Sequence, residues 1–197
     1  MAERVKAEGL KVQCIPTSFQ AIQLINENAL TMTDLSRNPK IDVAIDGVDE
    51  ISDELDCIKG GGGCHVQEKI VAACAAKFIT IADYQKQASN LGTVWLKGVP
   101  IEVVPLAHVP VTLKLEAAGA KVVLRMAKAK AGPVVSDNGN FILDAHFGEL
   151  DAKRTPAALE QEIRAITGVV DCGLFVGMVD EAYIGAEDGG VIVLSKY

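Results

Sequence analysis

Basic residues are scarce in this 197-residue sequence: 19 Lys and Arg stand against 26 Asp and Glu, a formal net charge of −7, and the cations are scattered rather than clustered. That balance argues against a nucleic-acid partner with a broad surface, so an anionic ligand must be met by local donors. Long apolar runs are missing too. None approaches the roughly 20 residues that span a bilayer, and the opening MAERVKAEGL is too charged for a signal-peptide core. The reading is a cytoplasmic protein with no membrane partner. Metal-ligand spacings are also absent. The five cysteines (Cys14, Cys57, Cys64, Cys74, Cys172) contain no pair at zinc-knuckle or thioredoxin spacing. His65, His108 and His146 lie far apart with no acidic or thiol partner at ligand spacing. No metal and no cofactor is expected, and the thiols read as buried and reduced. No internal repeat or low-complexity stretch appears. What remains, 49% hydrophobic and 23% charged, is an ordinary globular composition.

The first half alternates strand-like and helix-like segments: KVQCI, the capped amphipathic TSFQAIQLINENAL, the near-continuous apolar IDVAID, a short LDCI, the helical CHVQEKIVAACAAK and the buried-looking FITIAD. Such alternation predicts a parallel sheet with helices on its faces, and ligands at the carboxyl ends of its strands. Asp46 and Asp49 fall there, as does the glycine run after LDCI. From GVPIEVVPLA onward the pattern changes to strand IEVVPL, helix VTLKLEAAG, strand KVVLRMA, a turn SDNGN, strand FILDAHF, helix TPAALEQEIRAI and strand VVDCGLFV. Asn138-Gly139 signals a hairpin, because both residues accept positive φ. The order β-α-β-β-α-β predicts a ferredoxin-like plait, and the closing EAYIGAEDGGVIVL returns to the first sheet. The fold class is therefore α/β: a Rossmann-like parallel-sheet catalytic domain over 1–100 and 178–197, with an inserted ferredoxin-like α+β plait over 101–177. The plait is expected as a lid and oligomerisation module making modest contacts with the sheet, joined near Pro100 and Gly177.

The segment IKGGGGCHVQEK carries the chemistry. Glycines leading into a helix expose backbone N–H groups and the positive end of the helix dipole, which suits an anion, although a flexible turn explains glycines as well. The Gly-Lys-Ser/Thr ending of a nucleotide P-loop is absent. Glu68 has Cys64, Val71, Ala72 and Ala75 as helical neighbours. An apolar face raises a carboxylate's pKa toward the range of a general base, while the bland reading is a glutamate favouring a helix N-terminus. Lys59 and the pair Asp46/Asp49 favour the first: a base, a cation, backbone donors and two carboxylates describe a proton-transfer site that stabilises an oxyanion.

In order along the chain, IDVAIDGVDEI, IKGGGGCHVQEKIVAA, FITIADYQKQASNLG, PIEVVPLA and KAGPVVSDNGNFILD closely resemble the type A ribose-5-phosphate isomerases of the eukaryotic kind. The resemblance implies an aldose-ketose isomerase of the pentose phosphate pathway that interconverts ribose 5-phosphate and ribulose 5-phosphate through an enediolate, without cofactor or metal. It implies a homodimer or homotetramer. It places the general base on Glu68, ring-opening proton transfer on Asp46 and oxyanion stabilisation on Lys59. Substrate binding falls on Asp46, Gly47, Val48 and Asp49, on Lys59, Gly60, Gly61 and Gly62, and on Lys86, which by itself reads as a solvated loop lysine. Side chains at Gly60 to Gly62 are expected to block the approach of sugar oxygens.

Two departures stand out. His65 and Val66 occupy positions where the family usually carries leucine and threonine; His65 reads either as a second acid/base group or as a packing residue, and Val66 lacks a hydroxyl. The segment matching AERVKAEGL is preceded in the family by a helix, a strand and a phosphate-binding loop. The catalytic domain is thus expected to be N-terminally incomplete, less soluble and reduced in turnover through a raised Michaelis constant. The alternative is an impaired sugar-phosphate-binding relative or a structural subunit.

Overall fold

The computed structural model describes residues 1–196. Strands Ala44–Gly47, Phe78–Asp83 and Glu181–Gly185 lie parallel side by side, and Val191–Ser195 closes the sheet as an antiparallel edge. Helix His65–Ala73 covers one face. Val71, Ala72 and Ala75 meet Ala44, Phe78, Ala182 and Ile184 in one apolar cluster. The expectation that IDVAID and FITIAD are buried throughout needs correction. Ala44, Phe78 and Thr80 are buried while Ile45 and Ile81 are exposed, because among the described residues no element covers the other face. Helix Phe19–Glu27, capped by Ser18 Oγ accepting the Ala21 N–H at 3.0 Å, joins a separate parallel pair, Gln13–Cys14 with Thr31–Met32. No helix among the described residues is long and apolar enough to cross a membrane, and all five cysteines are free.

The later half folds as the β-α-β-β-α-β order predicts. Strands Val99–Val103, Lys121–Leu124, Phe141–His146 and Val169–Cys172 form an antiparallel sheet in which the fourth strand pairs the first, the first the third, and the third the second. Helices His108–Ala117 and Pro156–Arg164 pack on one face. Ile101, Leu143, Leu115 and Leu159 form the core between the layers. The SDNGN turn differs in detail from the two-residue form. Only Gly139 has positive φ (+81°), and Ser136 N–H donates to Asn140 O at 2.8 Å, so the loop has three residues with glycine in the left-handed position.

A third sheet, foreseen only at LDCI, joins these two: Leu174–Phe175, Cys57–Ile58, Glu50–Ser52 and Gln87–Ala88 in that order. VVDCGLFV is therefore two strands in two sheets, broken at Gly173. This glycine's N–H donates to Pro100 O at 2.7 Å and its carbonyl accepts from Lys59 N at 2.8 Å. A Cβ there would lie 2.0 Å from Lys59 O, so no other residue fits.

The plait's second face does not look to water, and its contacts are more than modest. Lys69 Nζ reaches Glu160 at 2.8 Å and Asp171 at 2.9 Å, with its own side chain 8% exposed. Glu160, Asp171 and Cys172 bring donor atoms within 4.8 Å of one another, a grouping that would suit a cation; the Lys69 ammonium bonds both carboxylates. Gln67 Nε2 donates to Asn138 Oδ1 at 2.8 Å, and Asn138 and Asn140 both donate to the buried Glu102. Arg125 and Asp144 face the glycine loop. Between these ties lies His65, fully buried, with neither ring nitrogen hydrogen-bonded. The packing reading of His65 is the one this geometry supports. Burial, reinforced by the Lys69 and Arg125 charges, pulls its pKa from 6.5 to about 3 against the opposing influence of the nearby Asp171.

Two outcomes follow for stability. Replacing Lys69 by Met removes the ammonium from between two carboxylates, and urea denaturation should show a loss of about 3–5 kcal/mol; a loss below about 1 kcal/mol would mean the tie is not structural. His65 stays neutral in the fold while it protonates in the unfolded chain, so its contribution is intact above the unfolded value of 6.5 and is lost as pH falls from there toward 3. Over that window the parent should lose roughly 1.4 kcal/mol per pH unit more than His65→Leu, and parallel pH profiles would contradict the assignment.

Candidate active site

Three elements deliver the charged residues to one point. Asp46 stands at the carboxyl end of strand Ala44–Gly47, Lys59 follows strand Cys57–Ile58, and Glu68 lies in the first turn of helix His65–Ala73. Lys59 Nζ sits 3.0 Å from Glu68 Oε2 and 3.1 Å from Asp46 Oδ2, donates to Gly47 O, and lies 5.4 Å above the Phe175 ring. Its side chain is 3% exposed. Burial pulls its pKa down, but the charges of Glu68 and Asp46 outweigh burial and hold it above the ordinary lysine value. Glu68 moves upward: burial disfavours its charge, the Lys59 ammonium partly restores it, and the Asp46 charge raises it further. Glu68 Oε2 is buried against the Lys59 ammonium, 3.0 Å away. Asp46 and Glu68 line a cavity of about 610 Å³ together with Val71 and Phe78, and Lys11 and Lys40 stand among its other walls. Burial, with Glu68, Asp137 and Asp46 nearby, pushes the Cys64 thiol up to about 11, so it is no nucleophile at neutral pH.

The glycines have separate tasks. Gly60 takes φ +104°, and a Cβ there would meet the His65 ring at 2.7 Å. At Gly61 it would meet Asp49 Oδ1 at 2.6 Å and the Trp95 ring at 2.8 Å. Only Gly62 looks into open space. Space inside the protein therefore forces glycine at Gly60 and Gly61 and leaves Gly62 unconstrained. Gly61 N–H donates to Asp49 Oδ2 at 2.6 Å, so Asp49 holds the loop. Val48 contributes main chain to this region, its side chain being buried in the core. Gly47 gives its carbonyl to Lys59 and its N–H to Asp46 Oδ1 at 2.7 Å. Lys86 ends the turn Tyr84–Lys86, one turn beyond the strand whose Thr80 and Ile81 pair Asp46 and Gly47. It is on the same side of the sheet as the others, but no bond joins it to them.

Several residues of the site carry no local sequence signal. Glu50, fully buried, accepts the N–H groups of Gly92, Thr93, Val94 and Trp95 at 2.9–3.2 Å and so fixes the tryptophan against Gly61. Arg125 donates to the carbonyls of Gly60 and Gly61 from the plait. An acid following Asp49 and an arginine ending an apolar strand are commonplace; their partners are far away in sequence. The finished arrangement offers a carboxylate of raised pKa beside a fixed ammonium and a second carboxylate, a set suited to moving a proton between neighbouring carbons while a negative oxygen is held.

A family model for ribose 5-phosphate isomerase A (phosphoriboisomerase A) matches residues 13–189. The chain is 54% identical to the ribose-5-phosphate isomerase of Homo sapiens over 197 residues, all of this chain and 62% of that protein, so it spans about three fifths of that relative's length. The solved ribose 5-phosphate isomerase A of Methanocaldococcus jannaschii superposes with a TM-score of 0.91 at 39% identity, covering 99% of this chain and 83% of that one. A D-ribose-5-phosphate isomerase in complex with phospho-erythronic acid gives 0.93 at 37% identity, with 99% and 83% covered. A family match over most of the chain, joined to this fold and this cluster of charges, leads to one conclusion: the chain belongs to the ribose 5-phosphate isomerase A family.

Proposed function

We propose that this protein is an aldose-ketose isomerase acting on ribose 5-phosphate and ribulose 5-phosphate. The observation that carries the reading is the Lys59 ammonium fixed within 3.1 Å of both Glu68 and Asp46, the two carboxylates that line a cavity of about 610 Å³, within the range of small-ligand sites. Relatives named for this reaction, and a structural neighbour holding phospho-erythronic acid, support the same ligand class.

On this reading Asp46 transfers the proton that opens the furanose ring. Glu68 takes the proton from C2 of the aldehyde; the electron pair moves into an enediolate, the O2 hydroxyl proton passes to O1, and Glu68 returns its proton to C1, leaving the ketone at C2. No electron leaves the substrate, so the reaction balances without a redox cofactor. Lys59 holds the negative oxygen. Because Gly61 N–H is engaged by Asp49, the loop acts chiefly by fixing Lys59 and by the donor at Gly62. Asp49, Lys86 and the main chain of Gly47 and Val48 position hydroxyls. We further propose the division into a catalytic unit of 1–100 with 178–197 and a plait of 101–177 that also serves assembly as a homodimer or homotetramer, and a cytoplasmic place in the pentose phosphate pathway.

Glu68→Gln keeps size and removes the base, so kcat for ribulose 5-phosphate formation should fall by about 10²–10⁴-fold. Turnover close to the parent's would overturn the base assignment. The base must be ionised to act, so the acid limb of the parent's kcat/KM profile, which reports the free enzyme, should lie above the 4.5 of an ordinary glutamate; a limb at or below that value would contradict the burial argument.

A further inference from the structure

The loop that carries Lys59 has almost no side chains of its own with which to hold a shape. Gly60, Gly61, Gly62 and Gly63 follow one another, and glycine populates more backbone states than any other residue. Its conformation has to be imposed from outside. Arg125 Nη1 donates to Gly60 O at 2.9 Å and to Gly61 O at 3.2 Å. The other edge of the guanidinium is taken by Asp144, with Nε donating to Oδ2 at 2.9 Å and Nη2 to Oδ1. Both side chains are 16% exposed, and Arg125 main chain is fixed on either side, its N–H to Ile142 O at 2.9 Å and its carbonyl to Val134 N–H at 2.8 Å.

The consequence lies in peptide geometry. A trans peptide is planar and points its C=O and N–H in opposite directions. Drawing the Gly60 carbonyl toward Arg125 turns the Gly61 N–H the other way, where it meets Asp49 Oδ2 at 2.6 Å. Drawing the Gly61 carbonyl the same way turns the Gly62 N–H away from the plait, at the one glycine with open space beside it. We infer that Arg125, locked by Asp144, is a positioning residue for the reaction: from the plait it sets the direction of two loop N–H groups and the placement of Lys59. This rests on the isomerase reading. A guanidinium is required, since an ammonium cannot bridge two carbonyls and a carboxylate in one plane.

The single tryptophan provides a readout independent of turnover, because the Trp95 ring lies against Gly61. The test compares the full chain with Arg125→Lys, Asp144→Asn and, as a control, Arg154→Ala, whose guanidinium bonds Ala118 O elsewhere on the plait. Arg125→Lys should shift Trp95 emission, speed amide exchange at Gly61 and lower kcat by about 10- to 100-fold while KM moves by less than about threefold. Asp144→Asn should move the same quantities in the same direction by less, and decides the matter if Arg125→Lys does not fold. Arg154→Ala should leave kcat and emission at the parent's values. Parent-like kcat and emission in a folded Arg125→Lys would overturn the inference, as would an activity loss that follows the unfolded fraction alone. If the parent does not turn over ribose 5-phosphate, the isomerase reading fails instead, and emission with Gly61 exchange still decides whether Arg125 sets the loop.

Discussion

The architecture depends on one buried ammonium. Lys59 Nζ is cut off from water, and an unpaired cation in that position would be strongly destabilising. It is tolerated because two carboxylates, a carbonyl and the face of Phe175 surround it. These partners come from a sheet strand, a helix, a strand end and the linking sheet, so the charge can be satisfied only when all are in place. The same arrangement makes chemistry available. Burial keeps Glu68 easily protonated, Lys59 keeps it able to ionise, and the ammonium stays charged to meet a developing oxyanion.

The plait has a part in this although it contributes none of the three central groups. Its helix-free sheet face carries Glu102, Asp144 and Asp171, with Arg125 beside them, and these meet helix His65–Ala73 and the glycine loop. Consecutive residues of that helix divide the work: Glu68 turns to the cavity and Lys69 to the plait. Phe175 lies between the two lysines, 5.4 Å from one ammonium and 5.1 Å from the other.

Much of this was legible in the sequence. Alternating hydrophobic segments marked the strands and helices, the β-α-β-β-α-β order marked the plait, Asp46, Asp49 and the glycine run stood where strand ends place ligands, and Glu68 stood out by its apolar helical neighbours with Lys59 close by. The rest was hidden for a common reason: it depends on contacts between distant segments. Gly173 reads as an interruption in an apolar strand, yet a Cβ there would lie 2.0 Å from Lys59 O. Glu50 lies inside the IDVAIDGVDEI block and Arg125 at the end of an apolar strand, but the partners of both, like that of Trp95 against Gly61, are remote in sequence. Lys69 looks like a solvated helix lysine until the acids of 160 and 171 arrive. The exposed Ile45 and Ile81 show the converse, since apolar character alone cannot say whether a partner layer covers both faces.

The central claim is that burial sets Glu68 and that Lys59 opposes it. Carbon-13 NMR of labelled glutamate side chains, followed against pH in the parent and in Lys59→Met, measures this directly. Glu68 should titrate above 4.5 in the parent and higher again once the ammonium is removed. A Glu68 that titrates at or below 4.5 in the parent, or that does not respond to loss of Lys59, would contradict the account.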